Sequence, residues 1–330
     1  MDEFRAFRID ERDGEIVAGF EVLGIDDLTD GNVVVRVTHS TINYKDALAA
    51  TGAGRILRRY PLTGGIDFAG VVVSSEDAEF GPGTDVLMNG CGLGETVDGG
   101  YSEYARVDGR GLVAVPEGMS CLDAMKIGTA GYTAALAIHR MEQNGQAPDL
   151  GPVVVTGATG GVGSLAVDML AGRGYEVVAV TGKAAAEDYL KTIGASRVLL
   201  RDAIDFGRRP LEKAEWAGAI DSLGGDYLTW LTRTTAYGGN IASVGLAAGH
   251  AFDTTVMPFI LRAVCLLGIN SVDTPRDLRR AVWRRIGSDL GPRHLDTIGR
   301  RTIGFDELPE AFQAYIDGAV TGRTVVEIAG

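Results

Sequence analysis

Residues 153–164 read VVVTGATGGVGS, three valines followed by a turn with glycines at positions 157, 160 and 163. The valines predict a short buried strand, and residues 165–170, LAVDML, place apolar side chains at helical spacing behind the turn. A strand, a glycine turn and a helix in this order are typical of a dinucleotide-binding site. One glycine permits the tight turn, one lets the backbone approach a pyrophosphate at the helix N-terminus, and one lets helix and strand pack closely.

The sequence around the turn makes this interpretation more specific. A chain with 47 glycines in 330 residues produces chance spacings, so the alternative is a purely structural turn. However, a second strand, EVVAVT at residues 176–181, follows after one helix length. The resulting strand–helix–strand unit of about 30 residues is the context that the motif requires.

The end of the second strand indicates which dinucleotide is bound. NAD sites usually place a carboxylate about 20 residues beyond the glycines, whereas this strand ends Thr181-Gly182-Lys183 with no acid before Glu187. Lys183 would attract a 2′-phosphate, Thr181 can hydrogen-bond it, and Arg201 would add a second cation. The sequence therefore favours NADP(H), with the alternative that Lys183 only solvates a loop.

The composition indicates a globular enzyme-sized chain, with 45% hydrophobic residues and a formal net charge of −13. That charge argues against nucleic-acid or anionic-membrane binding, and no apolar run reaches the roughly 20 residues that span a bilayer. The first residues do not form a signal peptide, so we expect a cytoplasmic location. Three scattered cysteines and four isolated histidines predict neither a disulfide framework nor a zinc site.

The rest of the chain divides into two parts. Residues 1–120 and 270–330 are predicted to form a mostly β domain, to which the final strand at 322–328 returns. Residues 121–269 are predicted to form a doubly wound parallel sheet, because helix-rich sequence at 121–140 precedes alternating strands and helices. Residues 263–269, AVCLLGI, predict an edge strand where a second subunit can pair, which suggests a homodimer.

This organisation resembles the medium-chain dehydrogenase/reductase superfamily over the whole chain. The resemblance implies an α/β fold with a Rossmann domain and a GroES-like catalytic domain. Zinc-dependent members carry a Gly-His-Glu motif and a ligand cysteine, where this sequence has Gly65-Ile66-Asp67 and Asn43-Tyr44. The four cysteines of the structural zinc site are also missing, so the sequence resembles a zinc-free branch.

Within that branch, five segments resemble the NADPH-dependent acrylyl-CoA reductases: residues 43–47 NYKDA, 65–70 GIDFAG, 127–131 IGTAG, 209–213 RPLEK and 255–262 TVMPFILR. The resemblance implies reduction of the 2,3 double bond of acryloyl-CoA to propanoyl-CoA. It further implies an NADP site lined by Tyr44, Thr159, Gly160, Gly161, Val162, Thr181, Gly182, Lys183, Arg201, Leu246, Ile260 and Ser271.

Hydride transfer to the β-carbon of an enoyl thioester leaves negative charge on the thioester oxygen and requires a proton at the α-carbon. Hydrogen-bond donors can stabilise that charge, and Tyr44, Asn43 and backbone N–H groups are candidates. Tyr44 can donate the proton, as can water, or it can simply pack beside the nicotinamide. Asp67 is a further catalytic candidate, although a carboxylate there can equally hold a loop or pair with Lys45.

A CoA substrate brings several phosphates, which an acidic protein must meet with a local positive patch. Arg55, Arg58 and Arg59 are candidate CoA contacts. A second cluster, at positions 276, 279, 280, 284 and 285, falls on one helix and is interpreted as mainly structural.

Two other functions remain open. A zinc-free quinone or free-enone reductase needs the same fold but no phosphate-binding arginines. A non-catalytic NADP-binding protein needs only the glycine turn.

Overall fold

The structure is a computed structural model that describes residues 3–328. The strands are β1 (Phe4–Arg12), β2 (Glu15–Leu23), β3 (Val33–Thr41), β4 (Leu62–Thr63), β5 (Asp67–Ser75), β6 (Asp85–Asn89), β7 (Tyr104–Val107), β8 (Val113–Ala114), β9 (Val153–Val155), β10 (Val177–Thr181), β11 (Arg197–Leu200), β12 (Trp216–Asp221), β13 (Thr235–Ser243), β14 (Cys265–Gly268), β15 (Arg301–Gly304) and β16 (Thr324–Glu327). The α-helices are α1 (Tyr44–Thr51), α2 (Cys121–Gln143), α3 (Gly161–Gly172), α4 (Glu187–Thr192), α5 (Gly225–Thr234), α6 (Met257–Arg262), α7 (Arg276–Ile286), α8 (Leu295–Ile298) and α9 (Leu308–Ile316).

The chain forms two compact units. Within the described residues, unit 1 comprises 3–129, 272–284 and 299–328, and unit 2 comprises 130–271 and 285–298. Each unit therefore contains segments that are distant in sequence.

Unit 1 contains two β-sheets, one of three strands in the order β2-β1-β4 and one of seven strands. The larger sheet runs β15-β16-β3-β5-β6-β8, with β7 also paired to β3. Val33, Val35 and Val37 of β3 are fully buried, because alternate side chains of a strand face the same side. The predicted return of the last strand is confirmed, since β16 pairs antiparallel with β3.

Unit 2 contains one six-stranded parallel sheet in the order β11-β10-β9-β12-β13-β14. The valines of β9 are fully buried at its centre, as expected for a parallel sheet covered on both faces. The predicted fold class, a Rossmann-type parallel sheet with a mostly β GroES-like domain, is confirmed. The prediction that residues 263–269 supply an edge strand is also confirmed, by β14.

The predicted helix at 121–140 is present as α2, but it is interrupted. Gly128 has φ +50° and ψ −157°, which lie outside the helical region and favour glycine. The sequence pattern did not predict this break. No helix within residues 3–328 combines the length and the apolar character that a membrane-spanning segment needs.

Candidate functional site

The glycine turn of unit 2 links the carboxyl end of β9 to α3. Gly157 has φ +60°, and a Cβ on Gly163 would overlap the carbonyl oxygen of Gly157. The geometry thus assigns the tight turn to Gly157 and the close packing of helix and strand to Gly163. Gly160 is the N-cap of α3, and Gly161 and Val162 begin the helix. The N–H groups of such a first turn have no intrahelical partner, so the cradle fits a pyrophosphate.

The residues predicted to select NADP lie together after β10 and β11. The backbone N–H of Lys183 donates to Thr181 Oγ1 at 3.0 Å, and the hydroxyls of Thr159 and Thr181 are 3.5 Å apart. A Cβ placed on Gly182 would lie 3.1 Å from Arg201 Cζ, so the guanidinium of Arg201 lies against this glycine. Partial burial lowers the pKa of Lys183. Two cationic side chains therefore border one loop, as a 2′-phosphate site requires.

Sequence reasoning missed Asp221, a fully buried residue at the carboxyl end of β12. Its carboxylate accepts hydrogen bonds from Thr156 Oγ1 at 2.6 Å and from the N–H of Gly224 at 2.9 Å. Burial raises the pKa of Asp221, and the bond from Thr156 opposes this rise. Asp221 fixes the loop after β12, where Ser222 and Leu223 pack against Gly157. A buried acid at a strand end was the available sequence signal.

The remaining predicted cofactor residues of unit 2 have different positions. Leu246 follows β13 and packs near Gly224, whose added Cβ would lie 3.2 Å from the Cα of Leu246. Ser271 follows β14. Ile260 lies on α6, before the edge strand, with 71% of its surface exposed. For Leu246, Ile260 and Ser271, cofactor contact stays a prediction.

The catalytic candidates of unit 1 surround the N-terminus of α1. Tyr44 is the first helical residue and is 48% exposed, whereas its neighbour Asn43 is buried. Asn43 caps the helix, and its backbone N–H donates to the carboxylate of Asp46 at 2.8 Å. The other oxygen of Asp46 accepts from the N–H of Ile66 at 2.9 Å. Tyr44 thus projects toward solvent from a tightly bonded cap.

Asp67 is fully buried and has several hydrogen-bond donors around it. Thr41 Oγ1 lies 2.6 Å from one carboxylate oxygen, and Asn43 Nδ2 lies 3.1 Å from the other. The alternative pairing of Asp67 with Lys45 is wrong, because Lys45 Nζ lies 2.7 Å from Glu95 Oε1. The donors around Asp67 indicate that it holds the start of α1.

Burial, and secondly the nearby carboxylate of Asp67, raise the pKa of Asp46 to about 7. The backbone N–H groups of Asn43 and Ile66 oppose the rise by favouring the ionised form. Asp46 is 2% exposed, so water does little to solvate its ionised carboxylate. The cap of α1 therefore contains a carboxyl group that titrates near neutral pH.

A cavity of about 410 Å³ adjoins the same helix in unit 1, and it is lined by Lys45, Arg55, Ile56, Leu57, Arg58 and Glu95. Two of the predicted CoA contacts, Arg55 and Arg58, are thus brought together. The third, Arg59, does not line this cavity, and its guanidinium donates to Thr29 Oγ1 at 2.9 Å.

The second arginine cluster lies on α7. In unit 1, Arg276 and Arg280 pair with Glu79 at 2.7 and 2.6 Å, and Arg279 is buried and donates to the carbonyl oxygen of Val272. In unit 2, Arg285 lies 2.7 Å from Glu142. These contacts support the structural interpretation. Within residues 3–328, no three His, Cys, Asp or Glu side chains are grouped to hold a metal ion.

A glycine turn on a parallel sheet, together with a β unit of this topology, defines an oxidoreductase of the medium-chain dehydrogenase/reductase class. Residues 29–117 match the alcohol dehydrogenase GroES-like domain, and residues 161–287 match the zinc-binding dehydrogenase family.

Two curated relatives are similar over nearly the whole chain. The protein named "Putative quinone oxidoreductase YhfP" of Bacillus subtilis is 47% identical over 98% of this chain and 99% of its own. The protein named "Probable acrylyl-CoA reductase AcuI" of Escherichia coli is 47% identical with the same coverage. The chain therefore belongs to the family of these oxidoreductases within the medium-chain dehydrogenase/reductase superfamily.

Two solved structures agree with this assignment. The structure of B. subtilis yhfP with NAD bound has a TM-score of 0.96 and 46% identity, covering 99% of this chain and all of that one. The structure of E. coli YhdH with bound NADPH has a TM-score of 0.94 and 46% identity, covering 98% of this chain and all of that one.

Substitution Lys183→Ala is expected to raise KM for NADPH by about tenfold and KM for NADH by less than about twofold, because only NADPH carries the 2′-phosphate. Initial rates of oxidation of each cofactor provide the measurement. Lys191→Ala is a matched control, since Lys191 lies on α4 and pairs with Glu187 at 2.7 Å. Equal effects on the two cofactors would remove Lys183 from the phosphate site.

Titration of Asp46 is expected to weaken the fold as pH rises. Because its pKa is about 7 when folded and 3.8 in the reference state, the folded protein retains the proton that the unfolded chain has already released. Between these values its contribution to the free energy of unfolding falls by at most about 1.4 kcal/mol per pH unit, and the decrease levels off about one pH unit above the folded-state pKa.

Urea unfolding at pH 5, 6, 7 and 8 tests this expectation. Asp46→Asn should show a shallower decrease in the free energy of unfolding than the wild type, whatever its absolute stability. The exposed Asp149→Asn should retain the wild-type slope. Identical slopes for Asp46→Asn and wild type would contradict the expectation.

Proposed function

We propose that the protein is an NADPH-dependent reductase that converts acryloyl-CoA to propanoyl-CoA. The observation that carries this proposal is the cavity lined by Arg55 and Arg58, which adjoins the helix that begins with Tyr44. A pocket with exposed guanidinium groups suits a substrate whose handle carries several phosphates. The E. coli relative with an acrylyl-CoA reductase name supports the same substrate class.

NADPH is proposed over NADH from the residues of this chain, because the two relatives of known structure differ in the dinucleotide they hold. Lys183 and Arg201 border the loop after β10, and the loop lacks the carboxylate that would repel a 2′-phosphate. When bound, NADPH supplies the hydride that the β-carbon of the substrate accepts.

The residues of unit 1 provide the rest of the chemistry. Tyr44 is proposed to donate the proton to the α-carbon, because its hydroxyl is carried by an exposed side chain on a fixed helix start. The first-turn N–H groups of α1 are proposed to stabilise the negative charge on the thioester oxygen. Asn43 is assigned a holding role instead, since both ends of its amide already have partners.

The cavity also explains how CoA can be distinguished from an uncharged acceptor. The cation of Lys45 is neutralised by Glu95, with both side chains partly buried. The exposed guanidinium groups of Arg55 and Arg58 are therefore the cations proposed to contact phosphate. A quinone lacks phosphates, so it would gain nothing from these two arginines.

The test compares acryloyl-CoA with the N-acetylcysteamine thioester of acrylate, which has no phosphate, and with a simple quinone. Arg58→Ala is expected to raise KM for acryloyl-CoA about tenfold and to leave KM for the short thioester unchanged. Arg36→Ala, at an exposed arginine of β3, is the matched control.

Quinone turnover as fast as acryloyl-CoA turnover, together with an unchanged KM in Arg58→Ala, would instead favour a quinone reductase, as the name of the B. subtilis relative suggests. Binding of NADPH without turnover of any acceptor would favour a non-catalytic protein.

We also propose that the protein is a homodimer joined through β14. This strand leaves one edge of the unit 2 sheet open, and such edges pair readily with another strand. Within residues 3–328, fourteen large apolar side chains are exposed, and seven of them lie between positions 246 and 266. Exposed apolar side chains concentrated in the segment that leads into the edge strand are what a protein partner would cover.

Light scattering after gel filtration should give twice the 34.7-kDa chain mass for the wild type. Leu266→Glu, on the edge strand, is expected to yield monomer because it buries a charge in the interface. Leu150→Glu, at another exposed leucine of unit 2, should leave the mass unchanged. A monomeric wild type would refute the proposed dimer.

A further inference from the structure

An arginine near the last strand, Arg323, contacts the segment that leads into α1. It is 2% exposed, and the sequence analysis gave it no role. Its Nη2 donates to Thr41 Oγ1 at 2.7 Å, and its Nη1 donates to Asn43 Oδ1 at 3.0 Å and to the carbonyl oxygen of Ile42 at 3.4 Å. One guanidinium therefore binds three consecutive residues immediately before Tyr44.

The carboxylate of Asp67 completes the arrangement around Asn43. Asn43 Nδ2 donates to Asp67 Oδ2, while Asn43 Oδ1 accepts from Arg323. A flipped amide would place its NH₂ against the guanidinium and its oxygen against the carboxylate, and both contacts would be repulsive. The two buried charges therefore permit one orientation of the residue that caps α1.

The break in α2 at Gly128 lies directly beside Arg323 and Asp67. A Cβ on Gly128 would lie 2.5 Å from Arg323 Nη2 and 2.8 Å from Asp67 Oδ2. The next residue, Thr129, donates its backbone N–H to Asp67 Oδ2 at 2.8 Å. The backbone of α2 at its break therefore packs directly against both charged groups, with no side chain between them.

Simple stabilisation is a weak explanation for such a network. Buried ion pairs often contribute little net stability, and Arg323 Nη2 lies 3.9 Å from Asp67 Oδ2 rather than in close contact. Apart from one backbone contact each with α2, at Lys126 for Arg323 and at Thr129 for Asp67, the hydrogen bonds of both side chains converge on residues 41–43. The network thus fixes the backbone from which the Tyr44 side chain projects.

We propose that Arg323 is a positioning residue for the reductase reaction, which acts through Asn43 to hold Tyr44 in its productive orientation. This inference rests on the proposed proton-donating role of Tyr44. Arg323 is only 2% exposed and bonds to the segment before Tyr44, so the proposal requires its effect on turnover to depend on the Tyr44 hydroxyl.

A double-mutant cycle tests that dependence. The four proteins are the wild type, Arg323→Gln, Tyr44→Phe and the double variant, assayed at saturating NADPH and acryloyl-CoA, or at the acceptor that the wild type reduces fastest. Arg323→Gln is expected to lower kcat about 10- to 100-fold, with KM for NADPH changed less than about threefold. The two substitutions should be non-additive by about fivefold or more, because Tyr44→Phe removes the group that Arg323 positions.

Arg279→Gln is the matched control. Arg279 is equally buried in unit 1, and it donates to the carbonyl oxygens of Asn89 and Val272. Its loss is expected to lower thermal stability as much as the loss of Arg323, while its effect on kcat should combine multiplicatively with Tyr44→Phe. Arg323→Lys, which retains the charge but not the fork geometry, should give an intermediate kcat. It replaces Arg323→Gln in the cycle if that variant fails to fold.

Each alternative outcome has a distinct meaning. Multiplicative effects of Arg323→Gln and Tyr44→Phe, or a kcat for Arg323→Gln no lower than that of Arg279→Gln, would reduce Arg323 to a structural residue and overturn the inference. An unchanged kcat in Tyr44→Phe would refute Tyr44 as the proton donor, and the inference with it. The CoA specificity would remain intact in both cases, because the Arg58 experiment reports on it separately.

Discussion

The carboxyl ends of parallel strands lie at the same end of their sheet, and the arrangement of unit 2 follows from this constraint. The glycine turn follows β9, Thr181 ends β10 and Asp221 ends β12, so these groups lie close together at the carboxyl end of the sheet. The strand order reverses between β9 and β12, where the crossover connections diverge to opposite sides. A crevice opens at such a point, and the bonds of Asp221 keep its neighbouring loop against Gly157.

In unit 1 the main constraint is that charged side chains are buried away from water. Two carboxylates and one guanidinium lie within it around Asn43, and each is at most 2% exposed. Since water cannot solvate these groups, hydrogen bonds from fixed donors must do so. The backbone N–H groups of Ile66 and Thr129 supply two of these bonds. Conformational order at the start of α1 is therefore a direct result of charge burial.

The features that could be predicted are those defined by a few consecutive residues. The valines of β9, the glycines behind them and the sequence Thr181-Gly182-Lys183 each reveal their environment within a few residues, and the structure places them accordingly. The fold class and the edge position of β14 were predictable for the same reason, because alternation of strands and helices implies a parallel sheet.

The contacts that sequence could not predict join distant segments. Asp221 depends on Thr156, 65 residues away, and Arg323 reaches a threonine 282 residues away. The pairing of Lys45 with Glu95 was missed because the two residues are 50 positions apart, and local sequence does not indicate which acidic residue a lysine will contact. The break at Gly128 was also missed, since the charged groups that pack against it, Asp67 and Arg323, come from distant parts of the sequence.

The return of β16 to β3 has a consequence for biosynthesis. Val325 and Val326 pair with Thr41 and Ser40, so the large sheet of unit 1 includes a strand that the ribosome makes nearly 300 residues after its neighbour. Unit 2, in contrast, has all six strands between residues 153 and 268. During translation the dinucleotide-binding sheet can assemble first, while the segment carrying Tyr44 waits for its final strand and for Arg323. The proposed catalytic cap is thus among the last parts of the protein to form.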